Sequence, residues 1–129
     1  MRRVLLYVTL CLVALGGSVT SSVARAEAET VMVTFLPKAG AEPELEKVIA
    51  QHWKTARELD LVPVAPHLTL RGKDEDGRAY FVEVFSWRDA SIPDNAPPAI
   101  RQIWDRMNAL VEKRGAKPGL SFNEVSVIP

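Results

Sequence analysis

The nine residues Ala79 to Trp87, AYFVEVFSW, carry large apolar side chains at both parities of a strand. Successive strand residues point to opposite faces, so Tyr80, Val82, Val84 and Ser86 share one face and Phe81, Glu83, Phe85 and Trp87 the other. A sheet built on such a strand has to be covered on both sides, because either set left bare exceeds the apolar patch a soluble monomer tolerates. The second set also contains one carboxylate, Glu83. Burying it unpaired costs several kcal/mol, so the strand implies a partner, a solvent route or a chemical task for that residue.

The surrounding pattern supplies the first cover. TVMVTFLP, from Thr30, is β-branched and apolar and stops at Pro37, which marks a short strand. A turn, KAGAEP, leads into a helix with Pro43 in its first turn and Glu42, Glu44 and Glu46 near its positive end. That helix is expected to reach about Leu61, with Leu45, Val48, Ile49, His52, Ala56 and Leu59 on one stripe. HLTLRG and AYFVEVFSW form a hairpin around KDEDGR. Pro97 and Pro98 open a second helix with Ile100, Ile103, Trp104, Met107, Leu110 and Val111 on its stripe, closed by Gly115, and SFNEVSVI is the last strand. The order β-α-β-β-α-β predicts an α+β, ferredoxin-like domain: a four-stranded antiparallel sheet with both helices on one face. The other face is expected to be covered by a second copy, two such units forming a dimeric α+β barrel. Parity alone leaves open which set of β-strand side chains meets the helices.

Residues 1–26 read differently. Arg2 and Arg3 precede an apolar run from Val4 to Leu15, and small residues close on Ala24-Arg25-Ala26, the order of a secretory signal peptide. The run is about 12 residues, short of the roughly 20 that span a bilayer, so a retained anchor is the weaker reading. Cleavage near Ala26 would leave one domain, 27–129, exported to the periplasm or secreted. The whole chain has 16 basic and 16 acidic side chains, and the leader takes three arginines and no acid with it. The remainder is slightly acidic, which argues against nucleic acid or a membrane surface as partner. Cys11, the single cysteine, lies in the leader, so thiol catalysis and thiolate metal sites are excluded from the domain.

The candidate site residues each have a plain structural reading beside the functional one. His52 falls near the centre of the buried stripe of the first helix, where a neutral imidazole could serve as a general base on a phenol or simply be a satisfied core residue. His67 opens the second strand and reads as a strand-end residue. The two histidines lack local metal-ligand spacing, so no metal site is expected, and a cluster of His52, His67 and Glu83 would need the fold to assemble it. Glu83 is expected to pair with Arg71 on the neighbouring hairpin strand, the alternative being a pocket carboxylate that orients a histidine or accepts a proton. Trp53, Trp87 and Trp104, with Phe81 and Phe85, could line a pocket for a planar ligand or pack the core. There is no Gly-rich phosphate loop, nucleophile elbow or dinucleotide fingerprint, and no cofactor is expected.

Four segments, VMVTFLPKAG, LDLV at the end of the first helix, YFVEVFSWRD and PPAIRQIWDRMNAL, resemble the dimeric α+β barrel superfamily and, within it, the antibiotic biosynthesis monooxygenase-like domains. The likeness spans nearly all of the chain after residue 26. It implies a homodimer with a pocket between sheet and helices in each subunit. Characterised members of the superfamily include cofactor-free oxygenases of phenolic polyketides and haem-degrading enzymes. Haem degraders of this fold use an asparagine in the first strand and a histidine with a tryptophan on the second helix. Here VMVTF has no asparagine and the second helix has Trp104 without a histidine, which argues against haem. The resemblance implies a pocket for an aromatic or quinone-like molecule and a cofactor-independent monooxygenase in which His52 deprotonates a phenol, Glu83 orients it and the tryptophans hold the ring. The alternative is a non-catalytic ligand-binding or structural dimeric module.

Overall fold

The structure, a computed structural model, describes residues 27–129; the reading of 1–26 as a leader lies outside them. The elements are β1 (Glu29–Phe35), α1 (Glu42–Glu58), β2 (His67–Lys73), β3 (Ala79–Trp87), a short 3-10 turn (Pro93–Asn95), α2 (Pro98–Leu110) and β4 (Leu120–Glu124). The sheet order is β2-β3-β1-β4, every pair antiparallel, which is the ferredoxin-like arrangement expected from the element order. No described helix is long and apolar enough to cross a membrane.

Three boundaries fall short of the periodic pattern. α1 stops at Glu58 because Asp60 takes a left-handed conformation, φ 56°, and Leu59 turns out to solvent instead of joining the stripe. Arg88 fixes this corner, donating to the Asp60 carbonyl and to its carboxylate. α2 ends at Leu110, not at Gly115, since the chain beyond it is captured as an extended segment: Lys38 N–H donates to the Leu110 carbonyl and Glu112 N–H to that of Leu36. β4 ends at Glu124, beyond which only Val125 N–H still reaches β1, at Thr30.

The parity question is resolved by burial. Phe81, Glu83, Phe85 and Trp87 lie under the helices, opposite Phe35, Val33, Val31 and Glu29 of β1. Two apolar clusters fill the layer between sheet and helices. One gathers Phe35, Leu45, Val48, Ile49, Phe81, Ile103 and Met107, the other Val31, Ala56, Val62, Phe85, Trp87 and Ile100. Glu83 sits between Phe81 and Phe85 on the strand, and His52 between Ile49 and Ala56 on the helix. Both polar residues therefore fall at the seam where the clusters meet. The opposite face shows Leu68 and Leu70 about half exposed, with Met32, Val82 and Val84 partly buried beside them.

Candidate functional site

Glu83 has a side chain 1% exposed, in the middle of β3. Two histidines flank it: His52 Nδ1 stands 3.6 Å from Oε1, and His67 Nε2 stands 3.8 Å from Oε2. Both distances are ion-pair contacts longer than a hydrogen bond. Accordingly His52 Nδ1 and Glu83 Oε2 have no hydrogen-bond partner in the protein, although both are buried.

The tautomer of His52 follows from its third neighbour. Trp104 on α2 donates its indole N–H to His52 Nε2 at 3.1 Å. An indole nitrogen is a donor only, so Nε2 is the accepting nitrogen and the ring proton of neutral His52 is on Nδ1, facing Glu83. Aromatic rings hold the imidazole on its remaining sides, Phe85 and Trp87 edge-on with centroids 5.6 and 5.8 Å away. His67 is held differently. Its ring stacks on Trp53 of α1, centroids 3.6 Å apart and planes parallel to 1°, and its side chain keeps 26% exposure. Trp53 follows His52 on the helix, a rotation of about 100°, so one turn of α1 aims one ring at Glu83 and the next at the histidine beyond it.

A cavity of about 660 Å³ opens beside this cluster, between the β1/β4 side of the sheet and α2. Val31, Val33, Phe35, Phe85, Trp87, Trp104, Met107 and Leu120 make its apolar wall, and the buried His52 and Glu83 complete the lining. Its rim is polar: Glu29, Asp94, Asn108, Asn123 and Glu124. Trp104 separates the cavity from a shallow outer groove that it lines with Pro98, Arg101, Gln102 and Asp105. A cavity of this size, mostly apolar with a few converging polar groups, has the character of a small-molecule site.

Of the residues singled out from sequence, His52, Glu83, Phe85, Trp87 and Trp104 line the cavity together. Trp53 and His67 approach Glu83 from the β2 side, outside the lining. Phe81 is buried in the apolar cluster instead. The expected partnership of Glu83 with Arg71 is corrected: Arg71 lies over the Phe81 ring, 5.2 Å from its centroid, and pairs with Glu46 of α1 at the surface. Its guanidinium stays in water there, whereas reaching Glu83 would mean burying it. The assembly of His52, His67 and Glu83, which local spacing did not require, is made by the sheet register and the helix. Among the described residues no group of three or more His, Cys, Asp or Glu is arranged to hold a metal ion. The lining from β1 and β4 escaped sequence reasoning, though parity carried the signal. Glu29, Val31, Val33 and Phe35 alternate in β1, and Leu120, Phe122 and Glu124 pair with them across to β4.

No family model matches the sequence, and no curated protein matches it. Solved structures do. A mutant of SnoaB, a cofactor-independent oxygenase from Streptomyces nogalater, is similar with TM-score 0.58 at 18% identity, over 79% of this chain and 94% of that one. An antibiotic biosynthesis monooxygenase gives TM-score 0.57 at 14% identity, over 78% and 99%. A dimeric ferredoxin-like protein of unknown function from Jannaschia sp. gives 0.55 at 17%, again over 78% and 99%. At such identities the likeness is one of fold. The chain has the ferredoxin-like α+β fold that these proteins share.

Proposed function

We propose that this chain is an exported homodimer whose cavity binds an aromatic or quinone-like molecule and oxidises it with dioxygen by cofactor-independent chemistry. The observation that carries the reading is a buried carboxylate beside a histidine of defined tautomer, both lining an aromatic-walled cavity. Dimerisation is supported by the apolar outer face of the sheet and by the dimeric relative. Export is supported by residues 1–26 alone.

In the proposed reaction a phenolic hydroxyl displaces the Trp104 indole from His52 Nε2 and gives it a proton. The resulting imidazolium keeps its Nδ1–H toward Glu83, whose charge balances it in a site that excludes water. The released indole N–H donates to a ligand oxygen. The phenolate, its electron pair delocalised to a ring carbon, forms a C–O bond with dioxygen, and His52 returns the proton to the distal oxygen. Loss of water from that hydroperoxide gives a quinone. Dihydroxyaromatics are therefore the substrates to try, with oxygen uptake as the assay. Uptake that His52→Ala abolishes, with the melt showing a folded variant, is the expected result. Binding without uptake would leave the non-catalytic ligand-binding reading, which is favoured by one observation: the basic nitrogen of His52 is already occupied. Trp104→Phe, which uncovers that nitrogen, separates the two readings because only an enzyme changes its rate in response.

A further inference from the structure

We propose that the cavity selects by charge, taking aromatic ligands that bear an ammonium or a neutral hydrogen-bond donor and rejecting rings that bear a carboxylate, sulfonate or phosphate. The inference rests on the reading of the cavity as a ligand site and names the class of molecule it admits. Every charged residue lining the cavity is an acid: Glu83 in the floor, and Glu29, Asp94 and Glu124 at the rim. No lysine or arginine is among the lining residues. Arg101 lines the outer groove, with Trp104 between it and the cavity.

Among the described residues some acids are neutralised in pairs, whereas Glu27, Glu42, Glu75, Asp76, Asp89, Asp105 and the three rim acids are not. Glu44, Glu46, Glu58, Asp60, Asp74 and Glu112 each pair with an arginine or lysine. Among the described residues none of Glu29, Asp94 and Glu124 takes part in such a pair, so no direct ion pair neutralises them at the mouth. An apolar-walled mouth lined by one sign of charge concentrates their field.

The floor supplies the second observation. The Glu83 carboxylate, 1% exposed and part of the lining, is held only by contacts longer than a hydrogen bond, Oε1 at 3.6 Å from His52 and Oε2 at 3.8 Å from His67. A ligand N–H or O–H would satisfy Glu83, whereas a ligand anion would bring a second negative charge into a site with little water to screen it. Rim and floor discriminate in the same direction.

The test is calorimetric titration with three rings of one shape: 2-naphthylmethylamine, 2-naphthylmethanol and 2-naphthoate. At low ionic strength the amine should bind about tenfold or more tightly than the carboxylate, with the alcohol between them. Raising the salt to about 0.5 M shortens the screening length to a few ångströms and should narrow the ratio. The rim variant Asp94→Asn/Glu124→Gln should narrow it too, with amine and carboxylate affinities each read relative to the alcohol in the same variant. A carboxylate that binds as tightly as the amine, or a ratio indifferent to both salt and the variant, overturns the charge selection. Alcohol binding in that case shows that the cavity still takes aromatic ligands. Failure of all three rings to bind refutes the ligand site and this inference together.

Discussion

Replacing Glu83 by leucine removes the acceptor that two histidines face across the seam of the core. With His67 charged and an effective dielectric of about 20, its 3.8 Å contact corresponds to a gross attraction of roughly 4 kcal/mol, while His52, whose Nε2 accepts the Trp104 indole, faces Glu83 as a neutral donor. Burial of the carboxylate offsets several kcal/mol of this, so the net contribution is far smaller than the gross. What the substitution leaves behind sets its cost. His52 Nδ1–H, buried and already 3.6 Å from its nearest acceptor, loses the carboxylate it faces, a loss of about 1 to 3 kcal/mol, and His67 loses its inward partner. Leucine recovers part through apolar burial, giving an expected net loss of about 2 to 4 kcal/mol. Glu83→Gln keeps a carbonyl for Nδ1–H and should cost only about 1 to 2 kcal/mol. For a domain of this size 1 kcal/mol shifts the melting temperature by about 4 to 8 °C, so the two variants separate in thermal melts followed by circular dichroism. Arg71→Met, which breaks an exposed pair with Glu46, should change stability by less than about 1 kcal/mol and add to either Glu83 variant. Glu83→Leu combined with His52→Phe should instead cost less than the sum of the single changes. Coupling of Glu83 to Arg71, or additivity with His52, would refute the assignment of partners.

Three further outcomes follow from other parts of the chain. Sedimentation at low micromolar concentration should give a dimer burying on the order of 1,500 Å², and Leu68→Glu/Leu70→Glu on the outer sheet face should yield folded monomers; a wild-type monomer would rule out the barrel. The carboxyl of Asp74 is held below its ordinary 3.8: burial pushes it up, but the Arg78 backbone N–H and the Arg114 guanidinium more than compensate. A carboxyl depressed on folding adds stability above its unfolded pKa and loses it as the pH falls toward the folded value. Asp74→Asn should therefore flatten the acid limb of the stability profile below about pH 4, and an unchanged limb would contradict it. The exported protein should have its N-terminus within two residues of Glu27 by sequencing, whereas an intact Met1 on the exported form would exclude cleavage.

Much of the architecture was legible because strands and helices announce themselves by period. Ala79–Trp87 has the bounds its sequence suggests, since Gly77 before it and the Arg88 contacts after it end the alternation sharply. The α2 terminus was illegible for a complementary reason. Its stripe continues through Val111, and what ends the helix is long-range pairing of Glu112 with Leu36, which no local pattern encodes.

The partner of Glu83 shows the same limit at the scale of one side chain. In the β2/β3 register Thr69 stands opposite Glu83, which makes His67 and Arg71 its two diagonal neighbours, one on either side. Diagonal neighbours lie about 7 to 8 Å apart at their backbones, so strand geometry favours neither, and formal charge alone points to Arg71. The choice is made by α1. Glu46, near its start, draws Arg71 outward, while Trp53, two turns further along, stacks flat on His67 and holds it inward. Positions 46 and 53 differ by seven residues, close to two helical turns, so both residues face the β2 edge of the sheet. His52, one residue before Trp53, is rotated by about 100° toward the sheet centre and meets Glu83 from the other side. The spacing of Glu46, His52 and Trp53 on one helix thus directs the arginine to the surface and leaves the buried carboxylate between two histidines.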